Sequence, residues 1–138
     1  MKTQREAAED SAAGGAEQAV IDTRCSRIRL GEDGILRSAA RPGVEMTLAD
    51  TEEDVATGLK IAGGRKVPLL IITGGLRSMS REARNYFAGE AAAGLILAQA
   101  VVVGSAVSRI IANFFLRLTR ASFPTRLFTS EAEAMAWL

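Results

Sequence analysis

Val67-Pro68-Leu69-Leu70-Ile71-Ile72-Thr73, followed by Gly74-Gly75-Leu76, carries the strongest structural signal in the chain. No charge occurs from Leu69 to Gly74, and an apolar run this short, bounded by Pro and Gly, fits a strand covered on both faces better than a helix. Such a strand needs layers above and below it. The glycines turn the chain, and a helix is expected to open near Ser78 or Ser80. The free N–H groups and positive dipole end of a helix start can receive an anion or a partner's carboxylate. The corner from Gly75 to Arg84 is therefore the first candidate site.

Beyond that corner, a helix from about Ser80 to Ala93 would turn Ala83, Phe87 and Ala91 inward and Arg81, Glu82, Arg84 and Asn85 outward. Leu95 to Val103 reads as a second apolar strand, with Ala98-Gln99-Ala100 leaving room for a close neighbour. Two such strands joined through a helix imply a right-handed parallel crossover. Ser105 can cap a further helix, whose Val107, Ile110, Ile111, Phe114, Phe115 and Leu118 cover a wide apolar arc. Arg126-Leu127-Phe128-Thr129 forms a short last strand, and Ser130-Glu131-Ala132-Glu133 has the form of a capping box opening a helix with Met135, Trp137 and Leu138.

On the amino-terminal side, Ser26, Ile28 and Leu30 alternate with Cys25, Arg27 and Arg29, as in a half-exposed strand. Gly31-Glu32-Asp33-Gly34 is a turn, and Ile35 to Ala40 returns as the second arm of an antiparallel hairpin at one side of the sheet. Thr47-Leu48-Ala49-Asp50 pairs an N-cap with an acid at the third helical position. The helix it opens carries Leu48, Val55, Leu59 and Ala62 on one face and ends at Gly63-Gly64. Residues 1–22, rich in Ala, Glu, Gln and Gly, read as a disordered or loosely helical tail, and 23–138 as a single domain.

The 138 residues carry a net charge of +1 and are 48% hydrophobic, which suits one soluble α/β domain. The absence of histidine excludes Ser-His-Asp and Cys-His triads, HExxH zinc sites and imidazole acid–base chemistry. Cys25 is the single cysteine, so no internal disulfide forms and a cytoplasmic home is expected. Neither a secretory signal nor a membrane span is expected; Gly94, Gln99, Gly104 and Ser105 interrupt the charge-free stretch from Ala91 to Ser108. Five acids crowd between Glu45 and Asp54, while seven arginines against two glutamates lie between Leu76 and Thr129. The molecule should be dipolar. Helix polarity explains Asp50, Glu52, Glu53 and Asp54 better than a metal does, and no metal or cofactor is expected. Gly63-Gly64-Arg65-Lys66 lacks P-loop spacing, and scattered arginines with few aromatics do not favour nucleic acid.

The order hairpin, helix, strand, helix, strand, helix, strand, helix is similar to that of STAS domains and the SpoIIAA-like group named after the anti-sigma factor antagonist. Arg126 to Leu138, closing on Ala136-Trp137-Leu138, resembles that group's final strand and helix. The resemblance, over roughly residues 24–138, implies a mixed sheet of about five strands with about four helices, and a protein that binds other proteins and is not an enzyme. In the family's antagonists a serine of an Asp-Ser-Ser-Gly motif is phosphorylated by a partner kinase. Ser80-Arg81-Glu82-Ala83 falls where that motif would stand; neither motif serine is kept, and the second falls on Glu82.

The first functional expectation is thus a regulatory or scaffold module meeting a protein partner through Ser78, Ser80, Arg81, Glu82 and Arg84, with Ser78 and Ser80 as shifted phosphorylation acceptors. The alternative is a binder of a small apolar ligand or lipid, since SpoIIAA-like proteins are similar in outline to SEC14-type domains and the Ser105–Leu118 face could border a pocket. The edge hairpin and the Phe114-Phe115 face could each support a homodimer.

Overall fold

A computed structural model of the chain describes residues 20–104, 110, 113 and 122–138. In chain order these form β1 (Val20–Asp22), β2 (Ser26–Leu30), β3 (Leu36–Ala40), β4 (Val44–Met46), α1 (Leu48–Ala62), β5 (Val67–Ile72), β6 (Leu76–Met79), α2 (Arg81–Phe87), α3 (Glu90–Ala93), β7 (Ile96–Val102), β8 (Thr125–Phe128) and α4 (Glu131–Trp137). Six strands make the main sheet in the order β1-β2-β3-β5-β7-β8, and β4 pairs with β6 in a second sheet of two. This is the mixed α/β architecture expected from the sequence.

The apolar run at Val67–Ile72 lies in the middle, flanked by β3 and β7, both parallel to it. Leu69 is 3% and Leu70 1% exposed, and they point to opposite faces. On one face Leu69, Ile28, Leu36 and Ile96 pack beneath Val55 and Ala62 of α1 and Ala92 of α3. On the other, Leu70, Ile35 and Ala100 meet Phe128 and Ala134, with Met135 and Trp137 of α4 closing over them. The Phe128 and Trp137 rings tilt together at 5.9 Å between centroids.

α1 begins and ends where its local chemistry demands. The Thr47 hydroxyl accepts from the Asp50 N–H while the Asp50 carboxylate accepts from the Thr47 N–H, and Gly63 closes the helix at φ 67°. Gly58 lets the helix lie hard on the sheet, since a Cβ there would stand 2.7 Å from Leu95 Cδ2 and 3.2 Å from Leu36 Cδ2. Leu48, expected on the inner face, is exposed; Thr51, Val55, Gly58 and Ala62 are the buried residues of that side.

Several elements differ from expectation. Val20–Asp22, read as the end of a tail, pairs antiparallel with β2, so the hairpin β2–β3 sits one strand in from the edge. Residues 1–19 lie outside the described residues. Leu76–Met79 is a strand, and the helix after it starts at Arg81 with Ser80 as its N-cap. The expected continuous helix to Ala93 is broken at Ala88-Gly89, where Gly89 takes an extended backbone and the poor helix propensity of glycine interrupts propagation. Of the apolar arc expected from Ser105 to Leu118, Ile110 is 68% exposed, and the other arc residues lie outside the described residues.

One irregularity sets which side chains face which way. β5 and β7 are in register at Val67↔Ile96 and again at Pro68↔Ala98, leaving Leu97 as an unpaired, 57% exposed bulge residue. From Ile96 alone, strict alternation would turn Ala98 and Ala100 toward α1. The extra residue re-phases the strand, and Gln99 and Val101 face that side instead.

Candidate functional site

The corner expected to carry the site is built on a short frame. Leu76 N–H donates to Thr73 O at 2.8 Å, closing the turn that leaves β5. Gly75 then passes against the end of β3; a Cβ there would lie 2.6 Å from Arg41 O and 2.8 Å from Ala40 O, so only glycine permits the approach. β6 pairs in parallel with β4 through Glu45↔Ser78 and Met46↔Met79, and Ser80 N–H donates to Met46 O at 3.0 Å. The Ser80 hydroxyl accepts from Ala83 N–H at 3.1 Å, capping α2.

On this frame Ser78, Arg81 and Glu82 are exposed, together with Arg77, whose guanidinium lies 3.7 Å from Glu45. Arg84, expected to face outward beside them, is instead half-buried and donates through Nη1 to Met79 O at 2.8 Å. Its first task is therefore to hold β6 to α2. Ser80 is half-buried and its hydroxyl is committed to the cap.

Beneath the corner lies a cavity of about 480 Å³ between the sheet and α2. Its floor is one register row across four strands, Ser38, Ile71, Val101 and Leu127, with Ala40 and Thr73 toward the strands' carboxyl ends. Leu76, Met79, Arg84 and Phe87 form the roof, and Asp54 and Phe123 line its flanks. The wall is predominantly apolar. At its inner end stands Gln99, only 4% exposed, whose Oε1 has no hydrogen-bond partner among the described residues.

The acids of α1 have two fates. Asp50, 5% exposed, takes two hydrogen bonds from Arg24, Nε at 2.7 Å and Nη2 at 2.6 Å. The Arg24 guanidinium, helped by the cap at Thr47, holds the Asp50 carboxyl well below the usual carboxylate range. Asp54, one turn on, accepts from Ser26 Oγ and Thr23 Oγ1, each at 2.6 Å, and burial pushes its pKa up against those bonds. Helix polarity alone accounts for neither.

Sequence reasoning thus pointed to the corner, which the structure describes as a strand-to-helix junction, and did not point to the hollow under it. Gln99 had a signal of its own, a lone amide inside an otherwise uncharged apolar strand, but alternation without the bulge does not turn it inward. Asp54 had none, because its partners Thr23 and Ser26 come from a distant hairpin.

No curated protein matches the chain. Among solved structures, the chain is similar to an uncharacterized protein of the DUF3478 family with a SpoIIAA-like fold from Shewanella loihica PV-4, with a TM-score of 0.58 at 16% identity over 92% of this chain and 99% of that one. That likeness shows the SpoIIAA-like fold. A protein of unknown function from Arthrobacter sp. FB24 is 33% identical over 80% of this chain and 96% of that chain, with a TM-score of 0.33. The profile of one family matches residues 29–138. By that match the chain belongs to the DUF7793 family of domains of unknown function.

Proposed function

We propose that the protein is a non-enzymatic regulatory or scaffold module of the STAS-like kind, acting in the cytoplasm, that meets a protein partner through the corner at residues 75–84. The observation that carries this reading is the exposure of Arg77, Ser78, Arg81 and Glu82 on a frame already fixed by strand pairing and a capped helix. A surface ordered before binding loses little side-chain and backbone entropy on association, which favours a specific complex. Opposite charges side by side, Arg81 and Glu82, suit a partner surface of matching polarity more than a uniformly charged one. Ser78 is the freer of the two candidate acceptors, because a phosphate on Ser80 would displace the hydroxyl that caps α2.

The test is capture from the native host with the whole chain as bait, comparing wild type with the double charge reversal Arg81→Glu, Glu82→Arg. Both positions are exposed, so the fold should tolerate the change within about 0.5 kcal/mol. A partner retained by wild type should fall at least about tenfold with the variant. Equal retention would remove this surface from the interface. Arg84 is left intact, since its loss would loosen the corner whether or not a partner binds there.

A further inference from the structure

The geometry points to the cavity under α2 as a binding site for a small apolar molecule that carries one hydrogen-bond donor, an O–H or N–H, presented to Gln99 Oε1. This stands whether or not the corner above meets a protein.

Three observations converge. The first is size: about 480 Å³ falls among the pockets that hold small ligands and is far larger than the water-sized voids of ordinary interiors. The second is lining. Ile71, Val101, Leu127, Phe87 and Met79 offer apolar surface on the floor and roof, as expected of a site that gains its affinity from desolvation. The third is the amide itself. Buried side-chain oxygens are nearly always partnered, and Gln99 Oε1 is buried, borders the cavity and accepts from no described residue.

Two of the neighbouring hydroxyls are already committed elsewhere. Thr73 Oγ1 donates to Val102 O at 2.8 Å, and Ser26 Oγ donates to Asp54 at 2.6 Å. The bulge at Leu97 is what turns Gln99 inward, where Ala98 would otherwise stand. A site that leaves one buried acceptor open discriminates between ligands that can donate to it and ligands that cannot.

Indole and benzofuran test this, being alike in shape and apolar area while only indole has an N–H. Titrations followed by backbone amide shifts of the intact chain should show both probes perturbing Ile71, Val101 and Leu127, with indole about tenfold tighter. Gln99→Leu should erase that preference and, with no ligand present, raise the melting temperature by about 3 °C, because an unpaired buried acceptor is removed. Val101→Phe, which fills the hollow, should weaken both probes at least about tenfold. Equal affinity for the two probes in wild type, no binding of either, or undiminished binding to Val101→Phe would overturn the proposal. So would a lower melting temperature for Gln99→Leu, since it would mean that the amide already has a partner.

Discussion

The same face of the sheet is covered in two different ways. Under α1 the cover is tight: Gly58 brings the helix so near that a single added carbon would collide with Leu95 and Leu36, and Val55 and Ala62 are 2% and 1% exposed. Under α2 the cover stands off, leaving a hollow of about 480 Å³ above Ile71 and Val101. One sheet therefore carries both a packed core and an open chamber. The two helices are entered alike, α1 from β4 and α2 from β6 of the same two-stranded sheet, each with its own N-cap. They differ at the contact, where α1 sets Gly58 against the sheet and α2 sets the side chains of Arg84 and Phe87 over the hollow.

The contrast should appear first as unequal costs of truncation. Leu69→Ala, at a 3% exposed position beneath α1, should cost about 2–5 kcal/mol in urea unfolding, whereas Val101→Ala, beside space that is already open, should cost about 1 kcal/mol or less. Equal costs would mean that the chamber is filled in solution.

Next in size is Gly58→Ala. Overpacking of about 1–3 kcal/mol is offset by about 1 kcal/mol of helix propensity, so a net loss of about 1 kcal/mol is expected in the same assay. A gain would show that Leu95 moves aside freely and that the tight half is not tight.

The smallest effect is electrostatic. Asp33, held at about 2 by hydrogen bonds from Arg37, and Asp50, held lower still by Arg24, both sit below the 3.8 of an unperturbed aspartate. As pH falls the unfolded chain takes up protons first, so the stability these pairs contribute is complete above about pH 4 and drains away as acid approaches the folded-state values. Asp54, beside the chamber, runs the other way. Its raised folded pKa means that the unfolded chain releases the proton first as pH rises, and stability falls between 3.8 and the folded value. Asp54→Asn removes that decline, so the stability of the variant relative to wild type should increase as pH climbs above 3.8 in denaturation curves. A difference independent of pH would mean that folding leaves the Asp54 pKa unshifted, and a relative stability that instead falls as pH climbs toward 3.8 would place Asp54 with Asp50.

What could be read from the chain follows the length and purity of its patterns. Leu69 to Ile72 announce a covered strand because nothing in them is polar, and Thr47 with Asp50 announces a helix start because both halves of the cap lie within one turn. Val44–Met46 and Leu76–Met79 were not legible. Each is a few residues of mixed polarity, stable only through pairing with the other across the whole of α1 and β5. β1 was hidden for the same reason, its register being set by β2 and by the pair Arg27 to Asp22 at 2.8 Å. The exposure of Ser78, Arg81 and Glu82 at the corner was legible because they are polar residues at a local turn and helix start, whereas the inward turn of Arg84 to Met79 O depends on tertiary packing and was not. The chamber was not, because its inner end depends on an inserted residue in β7 that shifts every later side chain to the opposite face.

The fold also gives Cys25 a practical use. The chain's lone thiol is fully buried between Arg24 and Ser26, and that enclosure pushes its pKa up to about 11. It is therefore silent toward alkylating reagents while the β1–β2 margin stays shut, and becomes reactive only when that margin parts. The wild-type protein carries its own clock for opening, readable from the rate of mass gain without any added label or substitution.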